Sequence, residues 1–219
     1  MKLRDGREVL LRPLDSDDKE LLQGAMSRMS PESRYRRFFG PHDQLTEREL
    51  AYLTEIDHHD HEAVAAIDPD TGEALGVTRF VRIDHDSDRA EAAVAVVDDW
   101  QGLGLGRALL EQLSARARQE GIQHFVALVQ AENERAVSAL SGLGPTKRSQ
   151  RGGVTQLDIE LGADGLGTPL THALRAAAGG LLGTAPLAER IRRAAYAVWT
   201  RRHGSREEPP APGEEPAGA

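Results

Sequence analysis

The alternation of apolar and polar positions divides the chain into short strand-like runs and longer helical stretches. Val9, Leu11 and Leu14 mark a first strand that Pro13 ends, because proline cannot donate into a ladder. A helix follows over roughly 18–29, with Asp15 and Asp17 as candidate caps. Ser30-Pro31-Glu32-Ser33 opens a second helix, with Ser30 as cap and Pro31 at the first helical position. Tyr35, Phe38 and Phe39 then form an aromatic group, suited either to packing on a sheet or to walling a substrate. Thr46, with Glu49 three residues on, caps a third helix that ends near Glu55. The runs 63–67, 74–83 and 91–97 read as an antiparallel meander, separated by Pro69-Asp70-Thr71-Gly72 and the polar turn 84–88. A glycine-rich turn leads into a helix carrying Leu103, Leu105, Leu109, Leu110 and Leu113 and stopping at Gly121. A strand over 125–129, a helix over 133–143 stopped by Gly144-Pro145, and strands over 146–151 and 155–161 complete the pattern.

This order predicts one α/β (α+β) domain over 8–161, with a mixed, largely antiparallel central sheet flanked by helices. After Leu161 the composition turns to glycine and proline, so 162–203 reads as a linker and a C-terminal helical extension. Within it, Leu187, Ile191, Ala194, Ala195, Val198 and Trp199 share one face of a helix over 186–203, while Arg190, Arg192, Arg193, Arg201 and Arg202 make the other face basic. Three roles suit that helix: packing back on the domain or on a twin subunit, contacting a membrane surface or another macromolecule, or hanging as a loosely held appendage. Residues 204–219 are polar and proline-rich, the composition of a disordered tail.

Composition narrows the chemistry. The formal net charge is -8 in 219 residues, so no general nucleic-acid surface is expected. With no cysteine, disulfides, thiolate nucleophiles and Cys-rich zinc sites are excluded. No stretch reaches 18 apolar residues and the N-terminus has no signal-peptide core, so a cytoplasmic location is the default expectation.

The strongest local object is Val96-Val97-Asp98-Asp99-Trp100-Gln101-Gly102-Leu103-Gly104-Leu105-Gly106-Arg107, a strand running through a glycine turn into a helix. Glycines at 102, 104 and 106 let backbone amides approach an anion without Cβ obstruction, and the helix dipole adds to the attraction. A diphosphate is the natural occupant. There is no Gly-Lys-Ser/Thr, so a Walker loop is unsupported, and G-x-G-x-G differs from the dinucleotide spacing G-x-G-x-x-G.

In this context Gln101-Gly102-Leu103-Gly104-Leu105-Gly106 resembles the signature Gln/Arg-x-x-Gly-x-Gly/Ala of the Gcn5-related N-acetyltransferases, the GNAT superfamily. Asn133, Ala136 and Leu143-Gly144 match a second feature of that family. Leu11-Arg12-Pro13-Leu14 and 30–39 look like the bacterial branch related to protein lysine acetyltransferases. The resemblance implies acetyl-CoA as acyl donor, held between the strand with Val94–Val97 and the strand with Phe125–Val129. It places the pantetheine arm on the backbone of Ala95, Val96 and Val97, and the diphosphate on the amides of Gln101, Gly102, Leu103, Gly104, Leu105, Gly106 and Arg107. Asn133 would contact the arm or fix the splayed strands.

The implied reaction is acetyl transfer to an amine, with a protein lysine among the candidate acceptors, by direct attack with general-base assistance. Glu91, on the same strand as Val96, resembles the base of the histone-acetylating branch, and its apolar neighbours favour a raised pKa. The run Asp57-His58-His59-Asp60-His61-Glu62 is read as a hydrophilic loop, with carboxylates that could instead bind a cationic amine; no metal site is expected there or at Asp84, Asp86 and Asp88. Leu140 stands where many family members carry a tyrosine that protonates the leaving thiolate, so a dedicated general acid is in doubt; Tyr35 would serve only if the first helices fold over the site. Two alternatives stand beside this reading: an acetyl-CoA-binding regulatory domain, and an acetyltransferase for a small-molecule amine.

Overall fold

The computed structural model describes residues 1–162 other than residue 86; the extension and tail expected over 163–219 lie outside the described residues. Local signals set most boundaries. Strand β1 (Leu10–Pro13) is followed by a 3-10 turn over Ser16–Asp18 and helices α1 (Lys19–Ser27), α2 (Pro31–Phe38) and α3 (Glu47–Thr54). Strands β2 (His61–Ile67), β3 (Ala74–Arg82) and β4 (Arg89–Val96) form the meander. Then come α4 (Leu105–Gln119), β5 (His124–Gln130), α5 (Glu134–Ser141), β6 (Thr146–Arg151) and β7 (Val154–Glu160). Ser30 caps α2 through the Ser33 N–H, and Thr46 and Glu49 close a reciprocal capping box on α3. Asp15 caps the 3-10 turn. The Asp18 side chain at the head of α1 makes no cap bond, because its carboxylate holds Arg12 at 2.5 and 2.6 Å; Asp17 makes no cap either.

The seven strands lie in the order β1-β2-β3-β4-β5-β7-β6, all antiparallel except β4 with β5. This is the mixed, largely antiparallel sheet the pattern predicts. Helix α4 covers one face, with Leu105, Leu109, Leu110, Leu113 and Ala117 fully buried along the stripe that a 3.6-residue repeat aligns. Helices α1–α3 cover the other face over β2–β4, through Leu22, Met26, Leu50 and their neighbours.

β2 begins two residues before its apolar run, and that changes the reading of 57–62. Asp57 accepts three backbone N–H groups, from His59, Asp60 and His61, each at 2.9 Å. Glu62 is buried to 1% exposure, and its carboxylate meets His58 Nδ1 at 2.8 Å and Arg116 Nε at 3.1 Å. Glu62 thus joins α4 to the start of β2, whereas Asp57 stays exposed in the loop 57–60 and orders that loop's own backbone. Removing Glu62 leaves Arg116 part exposed and still bonded to Glu120 and the His58 carbonyl, so the loss is that of the charge-assisted bonds, about 1.5–3 kcal/mol. Glu62→Ala is therefore expected to lose about 2 kcal/mol in urea-induced unfolding. An unchanged midpoint would show that Arg116 relaxes to solvent without penalty.

The aromatic group also divides. Tyr35 and Phe39 are 49% and 40% exposed, so neither packs on the sheet, and only Phe38 turns inward. Among the described residues no helix is long and apolar enough to cross a membrane, and no group of three or more metal-ligating side chains is assembled.

Candidate active site

The sheet comes apart beside β4. Strands β4 and β5 pair only at Arg89–His124, Ala90–Phe125 and Glu91–Val126. Beyond Glu91, β4 keeps β3 as its partner as far as Val96, while β5 keeps β7 as far as Gln130. A wedge-shaped gap is left between 92–96 and 127–130. Antiparallel ladders send successive residues' N–H and C=O to opposite edges. The Val97 N–H donates to the Leu75 carbonyl at 3.0 Å, so Val97 faces β3, and by alternation Ala95 does too. The backbone groups that look into the gap are those of Val94 and Val96. Of the three residues assigned to a cofactor arm, Val96 is the one turned toward it.

The glycine turn sits at the wide end of the gap. Gly102 and Gly104 adopt φ of +77° and +91°, which only glycine enters without strain. Gly104 is the N-cap of α4 and supplies no side-chain bond. The first intrahelical bond runs from Ala108 N–H to the Gly104 carbonyl, so the amides of Leu105, Gly106 and Arg107 have no partner within the helix. Gly106 packs on Val96: a Cβ there would lie 3.6 Å from its side chain, an ordinary contact. Leu103 is half-buried and Leu105 fully buried, so their side chains anchor the turn. This cradle fits a diphosphate.

Gln101 locks the turn to its surroundings. Its side-chain amide donates to the Val96 carbonyl at 3.0 Å and to Ser33 Oγ at 3.1 Å. Asp98 accepts from Ser30 N–H, Ser30 Oγ and Ser33 Oγ, each at 2.8 Å, which holds its carboxyl below the usual range. Both contacts pin α2 over β4. Asn133 works locally: its Oδ1 caps α5 by accepting from the Ala136 N–H at 3.2 Å, and its own N–H bonds to Gln130. It fixes the β5–α5 corner at the far wall of the gap.

Glu91 stands where the strands part. Its side chain shares a sheet face with Arg79, Ala93 and Ala95, under α1–α3. Burial pushes its carboxyl above the ordinary range, and the positive charge of Arg37 opposes that rise. Arg37 lies one helical turn after Ser33, on the same side of α2. Arg79 is buried in β3, bonded to His61 Nε2 at 3.0 Å and to the Leu53 carbonyl, and burial beside Arg37 pushes it down to about 9. Tyr52, from α3, feels Arg79, Glu91 and Arg37, and burial raises its hydroxyl pKa. A cavity of about 60 Å³ adjoins this group, lined by Met26, Met29, Phe38, Arg37, Arg79 and Ala95 among others.

Arg37, Arg79 and Tyr52 were not singled out from the sequence as site residues. Arg79 carried a signal, a lone cation inside the apolar run Gly76-Val77-Thr78-Arg79-Phe80-Val81. Arg37 and Tyr52 carried none, since they reach β4 only through helix packing. Leu140 is 3% exposed in the core below α5, and Tyr35 is half exposed; neither stands beside Glu91 as a proton donor.

Residues 28–144 match the model of the Acetyltransferase (GNAT) family. The chain is 33% identical over 144 residues to Acetyltransferase PA5475 of Pseudomonas aeruginosa, covering 65% of this chain and 77% of that one. It is 31% identical over 161 residues to Acetyltransferase Pat of Mycolicibacterium smegmatis, covering 74% of this chain but 48% of Pat, so it spans about half the length of that relative. The crystal structure of the GNAT domain of S. lividans PAT superposes with a TM-score of 0.69 at 35% identity, covering 74% of this chain and 95% of that one. With the parted strands and the glycine turn in their places, the match over more than half its length means that the chain belongs to the GNAT acetyltransferase family.

Proposed function

We propose that the protein is an acetyl-CoA-dependent N-acetyltransferase, with Glu91 as general base and an amine, of the lysine side-chain type, as acceptor. The observation that carries this reading is the gap that opens immediately beyond Glu91 and ends at the glycine turn. Acetyl-CoA would supply a thioester whose carbonyl carbon accepts the amine as its C–S bond breaks, CoA leaving as a thiol that takes up the proton lost by the attacking nitrogen, directly or through water. The chain's own residues supply the rest. The edge of β4 offers the N–H and C=O of Val94 and the N–H of Val96 to an amide-bearing arm, as a missing strand would, the Val96 carbonyl being taken by Gln101. The amides of 102–107 offer donors to the diphosphate, with Gln101 holding their scaffold rigid. Glu91, half-buried at the apex, takes a proton from the acceptor ammonium, directly or through water, so that the neutral amine attacks. Arg37 sustains the ionised form of Glu91 against burial.

The lysine acceptor rests on the resemblance of 11–14 and 30–39 to the bacterial branch related to protein lysine acetyltransferases. Pairing through the C-terminal basic helix remains a proposal of the same kind, as does a cytoplasmic location. A regulatory acetyl-CoA-binding role would differ in one respect: binding without acceptor-dependent release of CoA. Incubating the protein with acetyl-CoA and panels of proteins and small amines, while free CoA is measured, tests the reading. Release with protein acceptors supports it, and binding without release on any acceptor sinks it.

The placement of the diphosphate has its own test. Gly104→Val puts a β-branched residue at φ +91° and distorts the turn, a strain of about 1–3 kcal/mol. Affinity for CoA by calorimetric titration is expected to fall about tenfold or more, since 1.4 kcal/mol is a factor of ten. Unchanged affinity would move the diphosphate elsewhere.

A further inference from the structure

The N-terminal residues form a small hairpin that ends on the glycine turn. Leu3 N–H bonds to the Arg7 carbonyl at 2.8 Å and Val9 N–H to the Met1 carbonyl at 2.9 Å, with Gly6 at φ +90° in the bend. Two anchors hold it. Leu3 and Val9 are buried in one cluster with Leu105 and Leu109 from the start of α4, against which Trp100 and Leu103 also pack. The Arg7 guanidinium lies 4.1 Å from the centre of the Trp100 ring, within cation–π range. Arg7 also bonds Asp5 at 2.6 Å, which offsets the one acidic charge in the bend.

Arg4, at the tip, is directed at the cradle. Its Nε and Cδ lie 3.8 and 3.9 Å from the point a Cβ on Gly104 would occupy. No hydrogen bond or ion pair engages Arg4 among the described residues. Of the other charges near the turn, Arg107 spends its guanidinium on Glu111 at 2.7 Å, Asp98 is held by Ser30 and Ser33, and Asp99 is exposed at the surface. The first turn of α4 contains no acidic residue.

We propose that Arg4 binds the diphosphate of coenzyme A from the side opposite the α4 amides, so that the N-terminal hairpin is a part of the cofactor site. This rests on the cofactor reading above. Backbone amides carry only partial positive charge, whereas the diphosphate carries two full negative ones. A planar guanidinium supplies the counter-charge and two parallel donors that match phosphate oxygens. The bend needs no rearrangement for this, because Leu3, Val9 and Arg7 already hold it over Gly104.

The test is calorimetric titration of wild-type, Arg4→Gln and Arg4→Lys proteins with CoA and with 3′-dephospho-CoA, at low and high ionic strength. Arg4→Gln is expected to weaken both ligands alike, by about tenfold at low salt, and to flatten the salt dependence. Arg4→Lys should recover part of the loss, because the charge stays and the fork does not. Thermal unfolding without ligand should be unchanged, since the Arg4 side chain is exposed. Wild-type affinity in Arg4→Gln overturns the proposal, as does a loss seen with CoA alone, which would assign Arg4 to the 3′-phosphate. Failure of the wild-type protein to bind either ligand would instead remove the cofactor reading itself.

Discussion

Glu91→Gln is expected to lower the rate of acetyl transfer about 100-fold, the lower end of what a positioned general base supplies, while CoA affinity stays within about twofold. Glutamine keeps the shape and the hydrogen-bonding ends of the side chain but takes no proton. The pH profile makes the test specific. A base works in its ionised form, so the rate falls as pH drops through its pKa. Burial raises that pKa, so the acid limb should lie above the ordinary range of a glutamate. Glu91→Gln should abolish this limb. Arg37→Met removes the positive charge that opposes the rise, and should move the limb to higher pH; a misfolded helix would lower the rate without moving it. If turnover and the acid limb survive in Glu91→Gln, Glu91 is not the base.

The largest expected loss of stability is at a glycine outside the turn. A Cβ on Gly144 would lie 2.1 Å from the Glu160 carbonyl oxygen and 3.3 Å from its carbon, so the clash is with backbone. Glu160 cannot withdraw easily, since its N–H bonds to the Pro145 carbonyl at 2.9 Å and its strand pairs with β5. Gly144→Val should therefore cost about 3 kcal/mol or more, at the upper end of overpacking changes. In a chain of this size that lowers Tm by about 6–12 °C. Gly24→Ala provides the contrast. It sits inside α1 with nothing within 4 Å of the new methyl group, and should gain about 0.5–1 kcal/mol from helix propensity. A small loss at Gly144 would mean that the β6–β7 end of the sheet yields more readily than its hydrogen bonds indicate.

These two residues were visible in the sequence to different degrees. Gly144 appeared there as a helix stop. The structure ends α5 earlier, at Ser141 with Gly142 as cap, and keeps Gly144 free of a side chain because another strand passes against it. Glu91 was found through a family resemblance and an apolar neighbourhood. The direction of its pKa was legible, because burial follows from the residues around it; the opposing charge was not, because Arg37 lies 54 positions away.

What the sequence determined by itself is what neighbours along the chain decide. Ser30 before Pro31, and Thr46 three before Glu49, cap helices by bonds that span three residues. The glycines at 102 and 104 admit the backbone that starts α4, and its 3.6-residue stripe faces the sheet whatever lies beneath. Element order and the nature of the turn follow from such terms. Tertiary structure alone decided where β4 and β5 part, which of Ala95, Val96 and Val97 turns its backbone to the gap, and that Glu62 is buried against Arg116. It likewise brought Arg37 to Glu91 and Arg4 to Gly104. The reason is the same in each case: the partners are remote in sequence, and strand pairing and core packing, which no local pattern encodes, set their distance.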